Sequence, residues 1–128
     1  MSGDGRLRFT GRLRSLRCAG SGIGVMLRSQ HNAWIHAAAT VAVCVIGFVV
    51  GLSTSEWCLI VLAIVAVWTS EALNTALEFL ADIASPAFHP MAGKAKDVAA
   101  GAVLISALGS LAIGIMILGP KVLAVWRK

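Results

Sequence analysis

Charged residues are scarce in this chain of 128 residues. Only 13% are Asp, Glu, Lys or Arg, against about a quarter in an average soluble domain. Hydrophobic residues make up 58% of the chain, and the mean hydropathy is +0.84. This balance excludes an ordinary soluble domain and predicts a membrane protein. The length allows one domain, residues 1–128, with no room for a separate soluble one.

Motifs built from closely spaced cysteines or from a phosphate-binding loop are missing as well. The three cysteines lie far apart, without the spacing of a metal or redox motif, and are interpreted as small core residues: Cys18, Cys44 and Cys58. GSGIG at residues 20–24 has no strand before it and no Lys-Ser/Thr pair after it. We therefore do not interpret this glycine cluster as a nucleotide loop.

Three hydrophobic segments can cross a bilayer. The first is residues 33–53 and the third is residues 97–119, just before Pro120. The second begins with WCLIVLAIVAVW at 57–68, which rises only ~18 Å as a helix against ~30 Å of hydrocarbon. It must therefore continue to residue 82. The predicted fold class is an all-α membrane protein with three spanning helices.

A surface helix is predicted before the spans, at about residues 6–29. Apolar residues recur there at helical spacing between arginines, as in a helix that lies in the membrane interface: Phe9, Leu13, Leu16, Ile23 and Leu27. This arrangement adds an amino-terminal amphipathic helix to the three spanning helices.

The positive charge is unevenly placed. The net charge is +5, and six arginines precede the first span: Arg6, Arg8, Arg12, Arg14, Arg17 and Arg28. With Lys94 and Lys96 the amino-terminal region and the 83–97 loop hold eight basic residues, whereas the first loop has none. The positive-inside rule then predicts a cytoplasmic amino terminus, although Lys121, Arg127 and Lys128 fall on the other side. We expect no nucleic-acid partner.

A polar stripe interrupts the second span. Its members are three or four residues apart, so they lie on one face of a helix: Glu71, Asn74, Glu78 and Asp82. Counted from Trp57, Glu71 lies ~21 Å and Glu78 ~31 Å along the axis. An ionisable residue within a membrane is costly and indicates a functional site. The alternative is that Glu78 and Asp82 merely end the helix in headgroup water, an explanation that suits Asp82 better than Glu78 and Glu71 least.

The loop after the second span brings further polar groups to the same membrane level: His89, Lys94, Lys96 and Asp97. Lys96, placed close to the amino terminus of the third helix, could hold phosphate through its ammonium and nearby backbone N–H groups. Carboxylates for a divalent cation, a lysine for phosphate and a deeper glutamate as a base favour phosphoryl transfer. The alternative without a functional site is that the lysines only mark a cytoplasmic loop and that Asp97 caps the third helix.

The segment EALNTALEFLADIASPAFHPMAGKAKDVAAGAVL resembles the small bacterial membrane kinases, diacylglycerol kinase of the prokaryotic type and undecaprenol kinase. The resemblance extends back to Ser15 and includes Ala19, Gly22 and Asn32. Two sequence patterns, SP..HP.A..AKD.AAGAVL and N..IH, resemble the undecaprenol kinase branch more than the diacylglycerol kinase branch. The resemblance implies a homotrimer in the bacterial inner membrane, a lipid alcohol as acceptor, and ATP with Mg²⁺ as donor at the cytoplasmic face.

The same resemblance implies roles for single residues. Glu71 would be the general base, Asn74 would help to position it, and Glu78 would bind the metal. The nucleotide region would contain Lys96, Asp97, Asp82, His89 and, as a further candidate, Lys94. Gln30 stands at the second metal position, where the family usually has an acidic residue, and Cys18 and Gly20 stand where it usually has aromatic ones.

Two other functions stay open from the sequence. A proton-linked or ion-linked transporter could use Glu71 and Asn74 as its pathway, although three spans offer no inverted repeat. A catalytically weakened family member is the other alternative, because Gln30 lacks the charge of a carboxylate.

Overall fold

Four helices form the protein. The computed structural model describes the backbone of residues 5–127 and the side chains of residues 11–127. The helices are α1 (Gly5–Ser29), α2 (His31–Val50), α3 (Thr54–Ala84) and α4 (Pro90–Trp126). Predictions that involve Arg6, Arg8, Phe9 and Lys128 concern side chains outside the described ones.

Local sequence signals define the connections. Gly51 follows α2 with φ of +68°, a left-handed conformation that a residue without Cβ adopts at little cost. Ser53 and Glu56 then form a capping box, in which each side chain accepts a hydrogen bond from the other residue's backbone N–H. Before α4, His89 Nδ1 accepts from Met91 N–H, and Pro90 occupies the first helical turn.

The expected fold class is confirmed. The described residues form helices and no strand, and three helices are long and apolar enough to cross a membrane: α2, α3 and α4. With 31 and 37 residues, α3 and α4 measure ~46 and ~55 Å, more than the ~30 Å hydrocarbon core. Both helices therefore extend beyond the hydrocarbon, and Pro120 lies inside α4 without ending it.

The helices α3 and α4 pack as an antiparallel pair. Along their contact, the Ser70 and Ser106 hydroxyls lie 2.7 Å apart, and Ser110 Oγ donates to the Ala63 carbonyl at 2.9 Å. Beyond these serines, Lys121 Nζ lies 3.1 Å from Glu56 Oε2, at the end of the pair next to the α2–α3 turn. Small hydroxyl side chains let two helices approach closely and bond within a membrane.

The helix α2 packs antiparallel to α3 less extensively. Near the α2–α3 turn, Trp57 covers Gly47 so closely that a Cβ there would lie 2.8 Å from the ring. Between α2, α3 and α4 the remaining space forms an open cavity of about 730 Å³, lined almost wholly by apolar side chains. Among the described side chains of α1, Met26 near the carboxyl end is buried, whereas those of residues 11–20 are exposed.

Candidate active site

A carboxylate held by two amides lies where α1, α2 and α3 meet. Gln30, the residue between α1 and α2, donates from Nε2 to Glu78 Oε2 at 2.5 Å. Asn74, one turn earlier on α3, donates from Nδ2 to Glu78 Oε1 at 2.9 Å. The structure thus brings together three residues that are up to 48 positions apart in the chain. Each Glu78 oxygen accepts one of these bonds.

Glu71 lies two turns from Glu78 on the same face of α3. Its side chain is only 1% exposed. Among the described residues neither of its carboxylate oxygens has a hydrogen-bond partner, and the Asn74 carbonyl oxygen is likewise buried and unpartnered. Buried polar groups usually find partners because leaving them unpaired costs free energy. The Glu71 carboxylate and the Asn74 carbonyl oxygen lie on adjacent turns of α3, so together they can bind a cation or a ligand with hydrogen-bond donors.

The amide-held carboxylate also fits a magnesium ion. Within residues 11–127 no three His, Cys, Asp or Glu side chains are grouped as metal ligands. Magnesium does not require such a group, because it commonly uses one or two carboxylates and completes its shell with water and substrate phosphates. Glu78 would supply the carboxylate, and the Asn74 carbonyl oxygen is an unpartnered acceptor beside it among the described residues.

Lys96 forms an ion pair with Asp82 across the α3–α4 pair. Both side chains are partly solvent-exposed, at 38% and 64%. An exposed ion pair contributes little to stability, so the Lys96 ammonium remains able to exchange its partner for a phosphate.

The start of α4 corrects one prediction from the sequence. Lys96 is not close to a helix amino terminus, because α4 begins at Pro90, six residues earlier. Pro90 fixes a helical φ and His89 caps the first turn, so the helix starts in the loop and not at the beginning of the hydrophobic run. The cap is therefore His89 and not Asp97. Any phosphate contact of Lys96 depends on its ammonium.

The other predicted residues lie apart from this cluster or only border it. His89, Lys94 and Asp97 are exposed at the start of α4. Ser15, Ala19, Gly22 and Asn32 are exposed too, and so are Cys18 and Gly20. Ser15 donates to the Gly11 carbonyl of its own helix.

Sequence reasoning missed a histidine that lies close to the Glu71 carboxylate. His36 on α2 places Nε2 at 3.8 Å from Glu71 Oε2. One turn further along α2, Thr40 accepts a hydrogen bond from Trp68 Nε1 at 3.1 Å. The segment N..IH contained His36, but no spacing within one helix relates it to Glu71, 35 positions away. Only the antiparallel packing of α2 and α3 brings them together.

Comparison with known proteins identifies the family. The family model for prokaryotic diacylglycerol kinase matches residues 17–118. The chain belongs to the prokaryotic diacylglycerol kinase family. An undecaprenol kinase of Bacillus subtilis is 42% identical over 120 residues, which cover 94% of this chain and 98% of that protein. A diacylglycerol kinase of a Synechocystis species is 34% identical over 113 residues, which cover 88% of this chain and 65% of that protein.

The region shared with the prokaryotic diacylglycerol kinase family includes every polar contact described for the site. It runs from the middle of α1 to Leu118 on α4 and so contains the Gln30–Glu78 contact and the Lys96–Asp82 pair.

Proposed function

We propose that this protein is a membrane lipid kinase that transfers the γ-phosphoryl group of ATP, with Mg²⁺, to the hydroxyl of undecaprenol, and less readily to that of diacylglycerol. Membership of the family supports kinase activity, and both relatives are named as kinases, which favours an enzyme over a transporter. The preference for undecaprenol follows from the more similar relative, which matches over nearly its full length.

A single observation carries the proposal for the chemistry. Glu71 is a buried carboxylate with free oxygens, two turns along α3 from a second carboxylate whose oxygens are both engaged by amides. Two carboxylates in such different surroundings are suited to different tasks. Glu71 can take a proton, whereas Glu78, oriented by Gln30 and Asn74, can hold a cation.

In the proposed reaction Glu71 removes the proton of the lipid hydroxyl while the hydroxyl oxygen attacks the γ-phosphorus. A new P–O bond to the lipid forms, the bond between the γ-phosphorus and the β–γ bridging oxygen breaks, and ADP leaves. Asn74 and Gln30 keep Glu78 in place, and Lys96 contacts the phosphates in exchange for Asp82. Magnesium, when bound at Glu78, would neutralise phosphate charge during this transfer.

The exposed residues at the start of α4 would form the outer part of the nucleotide site. His89 caps α4 directly before Pro90, and Lys94 and Asp97 lie within two residues of Lys96 on that helix. We place this end of the protein, with the amino terminus, at the cytoplasmic face of the bacterial inner membrane, where ATP is present. The eight Lys and Arg residues of the amino-terminal region and the 83–97 loop support this orientation, since the first loop has none.

Assembly into a homotrimer is part of the proposal. A single chain leaves much of α2 uncovered, with exposed apolar side chains that include Val41, Val45 and Phe48. In a membrane, lipid and a neighbouring subunit can both cover such a face. Size analysis in mild detergent by light scattering tests the trimer directly, because it separates protein mass from bound detergent.

The activity is tested by incubation of the purified protein with labelled ATP, Mg²⁺ and separate polyprenols and diacylglycerols. We expect label in undecaprenyl phosphate at a higher kcat/KM than in phosphatidic acid. The Glu71→Gln variant, prepared identically, controls for a contaminating kinase. Label in neither lipid with the wild-type protein would contradict the proposed function, and a higher kcat/KM for diacylglycerol would reverse the acceptor preference.

A further inference from the structure

Among the described residues, one basic side chain lies within 4 Å of the Glu71 carboxylate. His36 Nε2 lies 3.8 Å from Glu71 Oε2, and Glu71 has no hydrogen-bond partner among the described residues. This distance is longer than a hydrogen bond, so a small rotation of either side chain is needed to form one. Glu78, two turns along the same helix, carries a charge of the same sign as an ionised Glu71. His36 is thus the described side chain available to favour an ionised Glu71.

A chain of hydrogen bonds ties the backbone turn that carries His36 to α3. Thr40 Oγ1 donates to the His36 carbonyl at 2.8 Å, and Trp68 Nε1 donates to Thr40 Oγ1 at 3.1 Å. Trp68 lies three residues before Glu71 on α3, so the turn of α2 that carries His36 is tied to the turn of α3 next to Glu71. The register of the two helices therefore keeps the backbone of His36 opposite the turn of α3 that carries Glu71.

His36 also borders the cavity between α2, α3 and α4. The cavity has a volume of about 730 Å³, and its lining is apolar apart from a few side chains that include His36, Thr40 and Ser110. The His36 side chain is 16% exposed, so the ring faces both an apolar space that opens to the membrane and the buried carboxylate. A hydrocarbon chain in this cavity would place its polar end beside His36.

We propose that His36 is a positioning residue for Glu71: its ring N–H holds the Glu71 carboxylate toward the hydroxyl of the acceptor lipid. This inference rests on the proposed role of Glu71 as the base. A base must lie within hydrogen-bond reach of the proton it removes, and a carboxylate without a fixed donor can rotate out of line. His36 acts through Glu71 and takes no part in bond formation.

The first test compares two substitutions that differ in the donor. His36→Leu removes the ring N–H, whereas His36→Gln retains an amide N–H of similar reach. A hydrogen bond to a charged group is worth ~1.5–3 kcal/mol, equivalent to about 10- to 150-fold in rate. We expect His36→Leu to lower kcat by about this factor with KM for ATP and lipid within about twofold, and His36→Gln to recover most of kcat.

These outcomes separate positioning from a structural role. A purely structural His36 would lower thermal stability in both variants without the recovery of kcat by Gln. Wild-type kcat in His36→Leu, or equal loss of kcat in Leu and Gln variants of unchanged stability, would overturn the proposal. If His36→Leu does not fold, the test rests on His36→Gln alone. A kcat of His36→Gln as low as that of Glu71→Gln would then overturn the proposal.

A second measurement is independent of lipid phosphorylation. Thermal unfolding of wild type, His36→Leu, Glu71→Gln and the double variant forms a cycle that reports whether the two side chains interact. We expect the change in Tm of the double variant to be smaller than the sum of the changes in the two single variants. Additive changes would overturn the contact between His36 and Glu71 even if the protein is an active kinase, whereas an inactive wild type with non-additive changes would contradict only the proposed function.

Discussion

Gln30 and Glu78 are joined by a hydrogen bond of 2.5 Å, with the Gln30 amide as donor. The resemblance noted from the sequence leads us to expect an acidic residue at the first of these positions, and this chain has an amide there that donates to the carboxylate. The amide orients Glu78, but it offers magnesium a carbonyl oxygen without charge, which is a weaker ligand than a carboxylate for a hard cation.

Gln30→Glu is expected to lower the magnesium concentration for half-maximal lipid phosphorylation. Two carboxylates side by side repel each other until a cation binds. The variant should therefore have a lower Tm than wild type without Mg²⁺, and added Mg²⁺ should raise its Tm by more than it raises that of wild type. Magnesium titrations of activity and of Tm measure both effects. Identical or poorer activity curves would mean that the metal site is built without residue 30.

Glu78→Ala is expected to raise the magnesium requirement, because it removes the proposed carboxylate ligand and leaves the Gln30 and Asn74 amides without their acceptor. The measurement is the same magnesium titration at saturating ATP and lipid. Glu56→Ala, at the opposite end of α3, serves as a control that also removes one carboxylate. A wild-type magnesium dependence in Glu78→Ala would move the metal elsewhere.

Glu71→Gln is expected to keep the fold and lose most turnover. The substitution preserves side-chain size in a buried position, and general-base catalysis contributes ~10²–10⁴-fold. Single-turnover phosphorylation measures the chemical step, and thermal unfolding shows whether the fold is retained. Undiminished phosphorylation by the variant would refute the assignment of Glu71 as the base.

Lys96→Ala is expected to lower kcat/KM for ATP by about 10- to 150-fold, because a charge-assisted hydrogen bond to phosphate is worth ~1.5–3 kcal/mol. Arg17→Ala is the control, since it removes one positive charge at an exposed residue of α1 that is not part of the proposed nucleotide site. Initial rates at varied ATP concentration compare the two variants. An equal effect of both would indicate general electrostatic attraction and not a specific phosphate contact.

Ser106→Leu is expected to destabilise the protein by ~1–3 kcal/mol, because the larger side chain must fit where the Ser70 and Ser106 hydroxyls now lie 2.7 Å apart. Ala112→Leu, at an exposed position of α4, is the control. Thermal unfolding and size analysis in mild detergent measure stability and assembly. An unchanged oligomer of unchanged stability would contradict the close packing of α3 against α4 at this position.

Ser106 belongs to a row of small residues on α4 whose partner the sequence alone did not identify. Ala102, Ser106, Ser110 and Gly114 recur every four positions, and such a row can face another helix of the same chain or another subunit. The structure assigns two of them to α3, since Ser106 meets Ser70 and Ser110 bonds to the Ala63 carbonyl.

The sequence by itself determined the helical membrane fold and the polar stripe of α3. Hydropathy and segment length depend on local composition, and residues three or four apart share a helix face wherever the helix lies, so Glu71, Asn74 and Glu78 could be selected without coordinates. The start of α4 was missed because a proline and a histidine cap in the loop began the helix before its hydrophobic run.

Only the tertiary structure decided which residues of different helices meet. The pairs Gln30–Glu78 and His36–Glu71 follow from the antiparallel packing of α2 on α3. Gln30 and His36 are six positions apart, and their partners Glu78 and Glu71 are seven positions apart in the opposite direction. No periodicity within a single helix encodes such a match, because it depends on the relative axial position of two helices. That position is fixed by packing, as at Trp57 against Gly47, and by single hydrogen bonds such as Trp68 to Thr40.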